Sequence, residues 1–243
     1  MLRKKSLESH HYYDEKIFTE EIEHIFKKEW LWIGRSDQLR NRGDFITADV
    51  INLPIIVIRD NNKQLRGFHN VCRHRAAKVL LRSSGNCKHI VCPYHGWRYS
   101  LKGKLSNPSK FFGPDDFDHK IHSLFPIHVQ EKFGLIFISL NKKPKFLDEW
   151  LGPFEQVINN YYESEFIFHN ELKFDVHANW KTYVDNYQEG YHIPIVHPQL
   201  NKDVIWEEYE LNNTHECSIH HVPEKAGSNQ PGGFGWHFPN FIF

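Results

Sequence analysis

Cys72-Arg-His74, then seventeen residues, then Cys92-Pro-Tyr-His95 is the stretch on which the reading of this chain turns. Each arm offers one thiolate and one imidazole on a short loop. Two sulfide-bridged irons divide such a set in one tidy way, with both Cys on one iron and both His on the other. A single Zn2+ is the competing occupant, because two thiolates and two imidazoles also close a tetrahedral site. Structural zinc sites usually space each ligand pair by two to four residues, so Cys-x-His, with one intervening residue, fits zinc poorly.

The mixed ligand set is that of a Rieske [2Fe–2S] centre, in which imidazoles replace two thiolates and raise the reduction potential. The loops also indicate the type. The residue three after His74 is Ala77, and Tyr94 stands between Pro93 and His95, so no second Cys pair brackets the site. Trp97 follows Gly96, where a respiratory-type loop carries a hydroxyl for a cluster sulfide. Fewer hydrogen bonds to sulfur place the expected potential low, at roughly −150 mV. Such a potential suits oxygen chemistry better than quinol oxidation.

The 243 residues can hold one large domain or two small ones, with 40% hydrophobic and 15% aromatic residues to fill a core. Lys+Arg and Asp+Glu are both 30, which gives no electrostatic reason to expect nucleic acid or an anionic membrane as partner. No apolar stretch follows the basic start, and the longest apolar runs, Leu53 to Ile58 and Leu135 to Ile138, are strand-sized. Beyond the two ligand thiols, Cys87 and Cys217 have no evident mate, which points to a reducing, cytoplasmic compartment.

Apolar residues Ile17, Phe18, Ile22, Ile25, Phe26 and Trp30 recur at helical spacing over 14 to 33. From Trp32 to Leu140 the pattern is of short strands. Asp44 to Val50, Leu53 to Arg59 and Gln64 to Val71 read as strands, the last two joined by the turn Asp60-Asn-Asn-Lys63. Lys88 to Val91, the hairpin Trp97 to Ser106 and the strand Leu135 to Ser139 follow. Polar Asn141 to Lys145 marks a domain junction. Beyond it, Leu147 to Tyr162 reads as a helix, Phe166 to Val176 as a strand and Asn179 to about Tyr191 as a helix. The chain ends on Phe238-Pro-Asn-Phe-Ile-Phe243, which reads as the start of a strand.

The second candidate site lies in the last of these helices. Asp185, Glu189 and His192 fall at i, i+4 and i+7, which places them on one helical face. Pro194 is expected to bend the chain before His197, bringing that imidazole back toward His192. Two His and one carboxylate on one face of iron form the facial triad of non-haem Fe(II) oxygenases. In a chain with 18 His this pair alone is a weak signal, and it gains force from the Cys/His box before it.

Cys-x-His-x17-Cys-x-x-His, Asn179-Trp-Lys and Glu189-x-x-His192-x4-His197 together resemble the oxygenase (alpha) subunits of Rieske non-haem iron oxygenases. The resemblance runs from Trp30 to Asn240. It is closest to the branch acting on choline, glycine betaine and carnitine, because ring-hydroxylating members usually carry Asp where this chain has Glu189.

That resemblance implies an α+β fold. Residues 1–31 would form an N-terminal helix packing on the catalytic domain, 32–141 a small antiparallel β Rieske domain, and 142–243 the first part of a helix-grip catalytic domain. Cys72, His74, Cys92 and His95 would hold the [2Fe–2S] cluster, and His192 and His197 a mononuclear Fe(II). Glu189, the catalytic candidate, would join His192 to His95 of a neighbour in a head-to-tail homotrimer. The implied co-substrate is O2. The implied partners are a small-molecule substrate and a reductase or ferredoxin that carries electrons from NAD(P)H, with no nucleic acid or membrane.

The third iron ligand of the family is an Asp well beyond the His pair, on a strand this chain does not reach. Asp203, Glu207, Glu208 and Glu210 are near in sequence but not in that position, so the chain is expected to be C-terminally truncated or one half of a split subunit. The rivals are a Rieske electron carrier, a fragment without the third ligand, and a zinc-stabilised binding module. Trp206, Tyr209 and Trp236 are candidate faces for a trimethylammonium group or, equally, core aromatics.

Overall fold

Leu53 to Arg59 is apolar without alternation, and the structure buries both faces of that strand. It is a computed structural model that describes residues 6–108, 117–161, 166–227 and 233–242. The chain divides into two units, Phe26–Pro144 and Met1–Ile25 with Lys145–Phe243.

In the first unit the strands are β1 (Trp30–Arg35), β2 (Asp44–Val50), β3 (Leu53–Arg59), β4 (Leu65–His69) and β5 (Ser84–Asn86). They continue with β6 (Ile90–Val91), β7 (Trp97–Tyr99), β8 (Leu105–Pro108), β9 (Pro126–Lys132) and β10 (Leu135–Ser139). A seven-stranded sheet runs β1-β10-β9-β4-β3-β2-β5, and β6-β7-β8 form a smaller one. Every pairing is antiparallel, with Phe45 opposite Ile58 and Ile56 opposite Phe68 across β2-β3-β4.

Side chains alternate faces along a strand, so β3 feeds two cores. Ile55 and Val57 pack with Leu31, Ile46, Ile136 and Ile138. Ile56 and Ile58 face a second core containing Phe68, Trp97, Tyr99 and both ligand cysteines. Each of these isoleucines contributes roughly 1.5–3 kcal/mol by burial. The second core supports the loops that carry the first site.

The turn after β3 is held by Asp60, whose buried carboxylate accepts from Asn62 N (2.7 Å), Gln64 N (3.0 Å) and Arg66 Nε (2.9 Å). Burial works to raise this carboxyl, but those hydrogen bonds and the Arg66 charge prevail and hold it below the ordinary carboxylate value.

The second unit contains α1 (Glu15–Glu21), α2 (Leu147–Leu151), α3 (Phe154–Tyr161), α4 (Trp180–Tyr187), α5 (Ile193–Val196) and α6 (Leu200–Asp203). Strands β11 (Glu210–Asn213), β12 (Cys217–His221), β13 (Gly233–His237) and β14 (Phe241–Ile242) make an antiparallel sheet in sequence order. α4 starts on Asn179, whose side chain accepts from Lys181 N. Glu21 of α1 accepts from Trp180 Nε1 (2.8 Å) and Lys181 Nζ (2.6 Å), and Tyr12 Oη donates to Asp185 (2.5 Å). Lys181 is only 8% exposed, so its ammonium depends on that carboxylate and on Asn179 Oδ1 at 2.7 Å.

Three local expectations are corrected. The helical pattern over 14 to 33 ends at Phe26 after one π turn, and Trp30 opens β1, because Trp30 and Leu31 pair with Ser139 and Ile138 and are buried there. Leu147 to Tyr161 is two helices, since Gly152-Pro153 interrupts the backbone ladder, and Tyr162 lies outside the described residues. Phe166 to Val176 forms no strand. Its apolar side chains, Leu172 and Phe174 among them, are exposed, and alternation cannot make a ladder without a neighbouring strand to bond. Of the strand start expected from Phe238 to Phe243, only Phe241–Ile242 form a strand, β14; Phe238 to Asn240 are a turn, and Phe243 lies outside the described residues. Among the described residues no helix is long and apolar enough to cross a membrane.

Candidate metal centres

The two Cys/His loops of the first unit are built on one backbone plan. Cys72 N donates to the carbonyl five residues on, Ala77 O (2.8 Å), and Ala76 N donates back to Cys72 O (3.0 Å). Cys92 N donates to Trp97 O (2.8 Å), and Gly96 N donates back to Cys92 O (3.0 Å). The fifth residue of each turn is left-handed, Ala76 at φ 57° and Gly96 at φ 71°. Identical turns on facing loops present their side chains as matched pairs.

Cys72 and Cys92 are 3% and 2% exposed and lie in the same buried core, where the Cys72 thiol adds to the upward shift that burial gives the Cys92 thiol. His74 Nδ1 and His95 Nδ1 face each other at 3.1 Å. Thiol thus meets thiol and imidazole meets imidazole, the two-plus-two division that a two-iron group requires. Among the described residues no three His, Cys, Asp or Glu side chains gather around one point that could hold a single ion.

Hydrogen bonds surround the donor atoms. Arg73 N donates to Tyr99 Oη (3.1 Å), which leaves the phenol O–H to donate to Cys72 Sγ at 3.3 Å. Burial pushes the Cys92 thiol up, while the N–H groups of Tyr94 and His95 oppose it by donating to the sulfur. Burial, then the nearby His95 and Arg75, lower His74 and so favour the neutral imidazole a metal needs. Trp97 stacks on His74 (centroids 4.9 Å apart, planes at 9°) and Tyr94 on His95 (3.8 Å). Asn70 locks the first loop, donating to Leu80 O and accepting from Val79 N and Leu80 N.

Tyr99 and Asn70 were not singled out by the sequence. The absence of a hydroxyl at position 97 suggested poorly hydrogen-bonded sulfurs, yet the Tyr99 hydroxyl reaches one from β7. The signal available was the alternation Trp97, Tyr99, Leu101, which points Tyr99 toward the same core as Cys72.

In the second unit α4 stops at Tyr187, so Asp185, Glu189 and His192 do not share one continuous helix. The ladder gives out at the C-cap Gln188, and Gly190 in the segment that follows is buried against Tyr209. A Cβ there would lie 2.7 Å from the Tyr209 ring, and Trp206 Nε1 donates to Gly190 O at 2.9 Å. Pro194 does not cause the bend. It sits in the first turn of α5, where its missing N–H costs nothing, and α5 then spans the gap from His192 to His197. The two imidazoles stand 5.1 Å apart, centroid to centroid.

Asp185 is taken by Tyr12 and stands apart from this pair's hydrogen bonds. Glu189 bonds His192 Nδ1 and accepts from Tyr191 N (2.5 Å), which leaves His192 Nε2 for a metal. Burial raises the Glu189 carboxyl, but the His192 and Tyr191 hydrogen bonds prevail and hold it below its usual value. The pair therefore offers two of the three ligands of a facial triad. Asp203, Glu207, Glu208 and Glu210 do not complete a group of three with it among the described residues.

Behind this turn lies a buried polar chain that the sequence did not reveal. Tyr209 Oη bonds His220 Nδ1, and Ser218 Oγ bonds His220 Nε2 (2.8 Å). Burial lowers His220 to about 4, so it is neutral, and burial plus the Glu189 charge push Tyr209 up to about 12. Tyr187 packs edge-on against Phe234 and Trp236, each 5.3 Å away, and Tyr183 against Trp236 at 5.7 Å. Of the three candidate aromatic faces, Trp236 belongs to this cluster, while Trp206 and Tyr209 brace Gly190.

Comparisons with known proteins agree with this construction. Residues 29–110 match the Rieske [2Fe-2S] domain, and residues 163–239 match the ring hydroxylating alpha subunit (catalytic domain). The chain is 34% identical to the glycine betaine monooxygenase oxygenase subunit of Chromohalobacter salexigens, over 84% of this chain and 47% of that protein. It is 33% identical to the carnitine monooxygenase oxygenase subunit of Acinetobacter baumannii, over 96% of this chain and 66% of that one. The quaternary ammonium Rieske monooxygenase CntA in complex with L-carnitine superposes with a TM-score of 0.84 at 29% identity, covering 95% of this chain and 64% of that one. The chain spans about half the length of the glycine betaine relatives. With both domain types matched in one polypeptide, and paired cysteines and paired histidines as donors in the first, the chain belongs to the oxygenase (alpha) subunits of the Rieske non-haem iron oxygenases.

Proposed function

We propose that this chain is the oxygenase component of a two-component system that oxidises a small quaternary amine, such as choline or a betaine, with O2. The observation that carries this is the presence, in one chain, of the Cys72/Cys92 and His74/His95 pairs and of His192/His197 backed by Glu189. In this reading the cluster supplies single electrons, and the mononuclear iron supplies open positions for O2 and substrate. His192 and His197 hold that iron, and Glu189 fixes the His192 tautomer and orients its ring. Glu189 is also assigned the contact with His95 of a neighbouring copy in a homotrimer. A reductase or ferredoxin provides the electrons, and the free thiols suit a cytoplasmic setting. Tyr183, Tyr187 and Phe234 are not fully buried, and although His220 stacks on Phe234 (centroids 4.5 Å apart), these rings are assigned to an ammonium group in this reading.

A second reading, an electron carrier of the same family, is favoured by the two-ligand state of the His192/His197 pair. Iron analysis separates the two. The oxygenase reading expects about three irons per chain, falling to about two in His192→Ala and His197→Ala. An electron carrier holds two in all three proteins. Substrate-dependent O2 uptake with choline, glycine betaine and carnitine then identifies the amine.

A further inference from the structure

The φ of Gly190 lies outside the left-handed region, so glycine stands there for space rather than for conformation. Tyr209 takes that space. The ring atom nearest to a Cβ placed on Gly190 is Cζ, at 2.7 Å, the carbon that bears the hydroxyl. From the adjoining 3₁₀ turn, Trp206–Glu208, Trp206 Nε1 donates to Gly190 O at 2.9 Å, and the same oxygen accepts from Ile193 N at 3.1 Å. Residues three apart on a 3₁₀ turn eclipse one another, so Trp206 and Tyr209 close on Gly190 from one side.

That turn is fixed to the sheet. Ile205 N donates to Pro223 O and Lys225 N to Asp203 O, both at 2.8 Å, which ties its base to the segment after β12. Strand β12 holds its far end. Tyr209 Oη bonds His220 Nδ1, and His220 Nε2 bonds Ser218 Oγ, with His220 1% and Ser218 0% exposed. A neutral imidazole has one N–H and one lone pair, and both are engaged here. The His220 ring lies flat on Phe234, with planes at 19°. Because the chain of bonds ends on a buried hydroxyl, it has no route to solvent and serves to hold rather than to conduct protons. What it holds is the hydroxyl end of the Tyr209 ring, the end that touches Gly190.

Gly190 is flanked by the groups that address the second metal centre. Glu189 bonds His192 Nδ1 and accepts from Tyr191 N. We infer that Tyr209, anchored by His220 and seconded by Trp206, is a positioning residue for this centre, fixing the turn from Glu189 to His192 so that the His192 ring keeps its place 5.1 Å from that of His197. The inference rests on the reading of His192 and His197 as ligands of the mononuclear iron. A ligand imidazole binds tightly where its supports leave it one orientation, and supports rooted in a sheet are stiffer than those of a loop.

The test is titration of Fe(II) against a competing chelator, with the full chain and its cluster in place. Tyr209→Phe keeps the ring and removes the anchored hydroxyl. It is expected to weaken Fe(II) binding about fivefold, less than loss of a direct ligand partner costs. Trp206→Phe and His220→Leu should do the same. His220→Asn offers an amide where Nδ1 stood and should bring binding back to within about twofold of wild type, a rescue that lost packing would not give. In a Glu189→Ala background Tyr209→Phe should add less than about twofold, since both act through one turn. Melting temperatures establish that the variants are folded. Hydrogen exchange of the chain without added Fe(II) gives a second reading: the Tyr191 and Ile193 amides should exchange about fivefold faster in Tyr209→Phe, with β13 unchanged. Wild-type affinity and exchange in Tyr209→Phe overturn the proposal. So does a loss of affinity that His220→Asn does not rescue and that adds in full to Glu189→Ala. If the wild type binds no Fe(II) beyond the cluster irons, the reading of the His pair as iron ligands falls, and the exchange rates alone decide whether Tyr209 fixes the turn.

Discussion

The Tyr99 hydroxyl stands 3.3 Å from Cys72 Sγ while accepting from Arg73 N, so its proton is directed at a cluster-ligand sulfur. A hydrogen bond to a ligand sulfur stabilises the reduced, more negative cluster and raises its potential. Tyr99→Phe keeps the ring and removes the donor. With about 1 kcal/mol for the bond, the potential should fall by roughly 40 mV. Redox titration of the two proteins measures it, and equal potentials would show that the phenol plays only a packing role.

The matched turns make an opposite pair of predictions. Ala76 holds a left-handed conformation that costs a residue with a Cβ about 1 kcal/mol, whereas Gly96 holds its counterpart freely. Ala76→Gly should be neutral to slightly stabilising despite added chain entropy. Gly96→Ala should lose about 1 kcal/mol and leave the cluster more easily bleached by heat. Thermal melts followed at the cluster absorbance distinguish the two.

Glu189 acts on His192 through a hydrogen bond, so its replacement should affect metal retention before anything else. Glu189→Ala is expected to weaken Fe(II) binding about 10–100-fold, as loss of such supporting partners commonly does. Titration of Fe(II) against a competing chelator reads this directly. Undiminished affinity would remove Glu189 from the site.

The depressed carboxyl of Asp60 links stability to acid. Its pKa is lower folded than unfolded, so its contribution is complete above about pH 4 to 5 and is lost as pH falls through the folded value. Asp60→Ala should cost about 3 kcal/mol at neutral pH and much less in acid. Urea denaturation of both proteins at neutral and acid pH tests the convergence.

Breaking the buried pair in the other unit should be costlier than replacing it. Glu21→Ala leaves Lys181 Nζ and Trp180 Nε1 without their shared acceptor and should cost about 3–5 kcal/mol. Glu21→Leu/Lys181→Met should recover much of the loss, as buried ion pairs are often replaceable by packed apolar groups. A double variant no better than the single one would mean that orientation of α4, rather than charge burial, sets the requirement.

The β unit was readable because each piece carried its own signal. A β-branched run defined β3, the turn Asp60-Asn-Asn-Lys63 placed β4 as its returning hairpin partner, and residue type and spacing defined the four cluster ligands. Where reading failed, the deciding partner was distant in sequence. Trp30 has a helix-compatible position in its own segment and becomes a strand residue only beside Ser139. α4 closes at Gln188, short of Gly190, and only the fold reveals that Gly190 is packed against Tyr209 and Trp206. Tyr99 is an ordinary strand aromatic until Cys72 is folded against it. Phe166 to Val176 has the composition of a strand, and composition cannot supply the adjacent backbone a ladder needs.

The antiparallel pairing of Trp30 with Ser139, reinforced by Asn141 Nδ2 donating to Lys28 O at 3.3 Å, brings the entry and exit of the first unit side by side. A module whose two ends meet can be excised, or spliced into another host loop, without pulling on its interior. Residues 26–144 alone should therefore fold, take up the two irons and turn red-brown, an autonomous redox cassette interrupting the chain of its host.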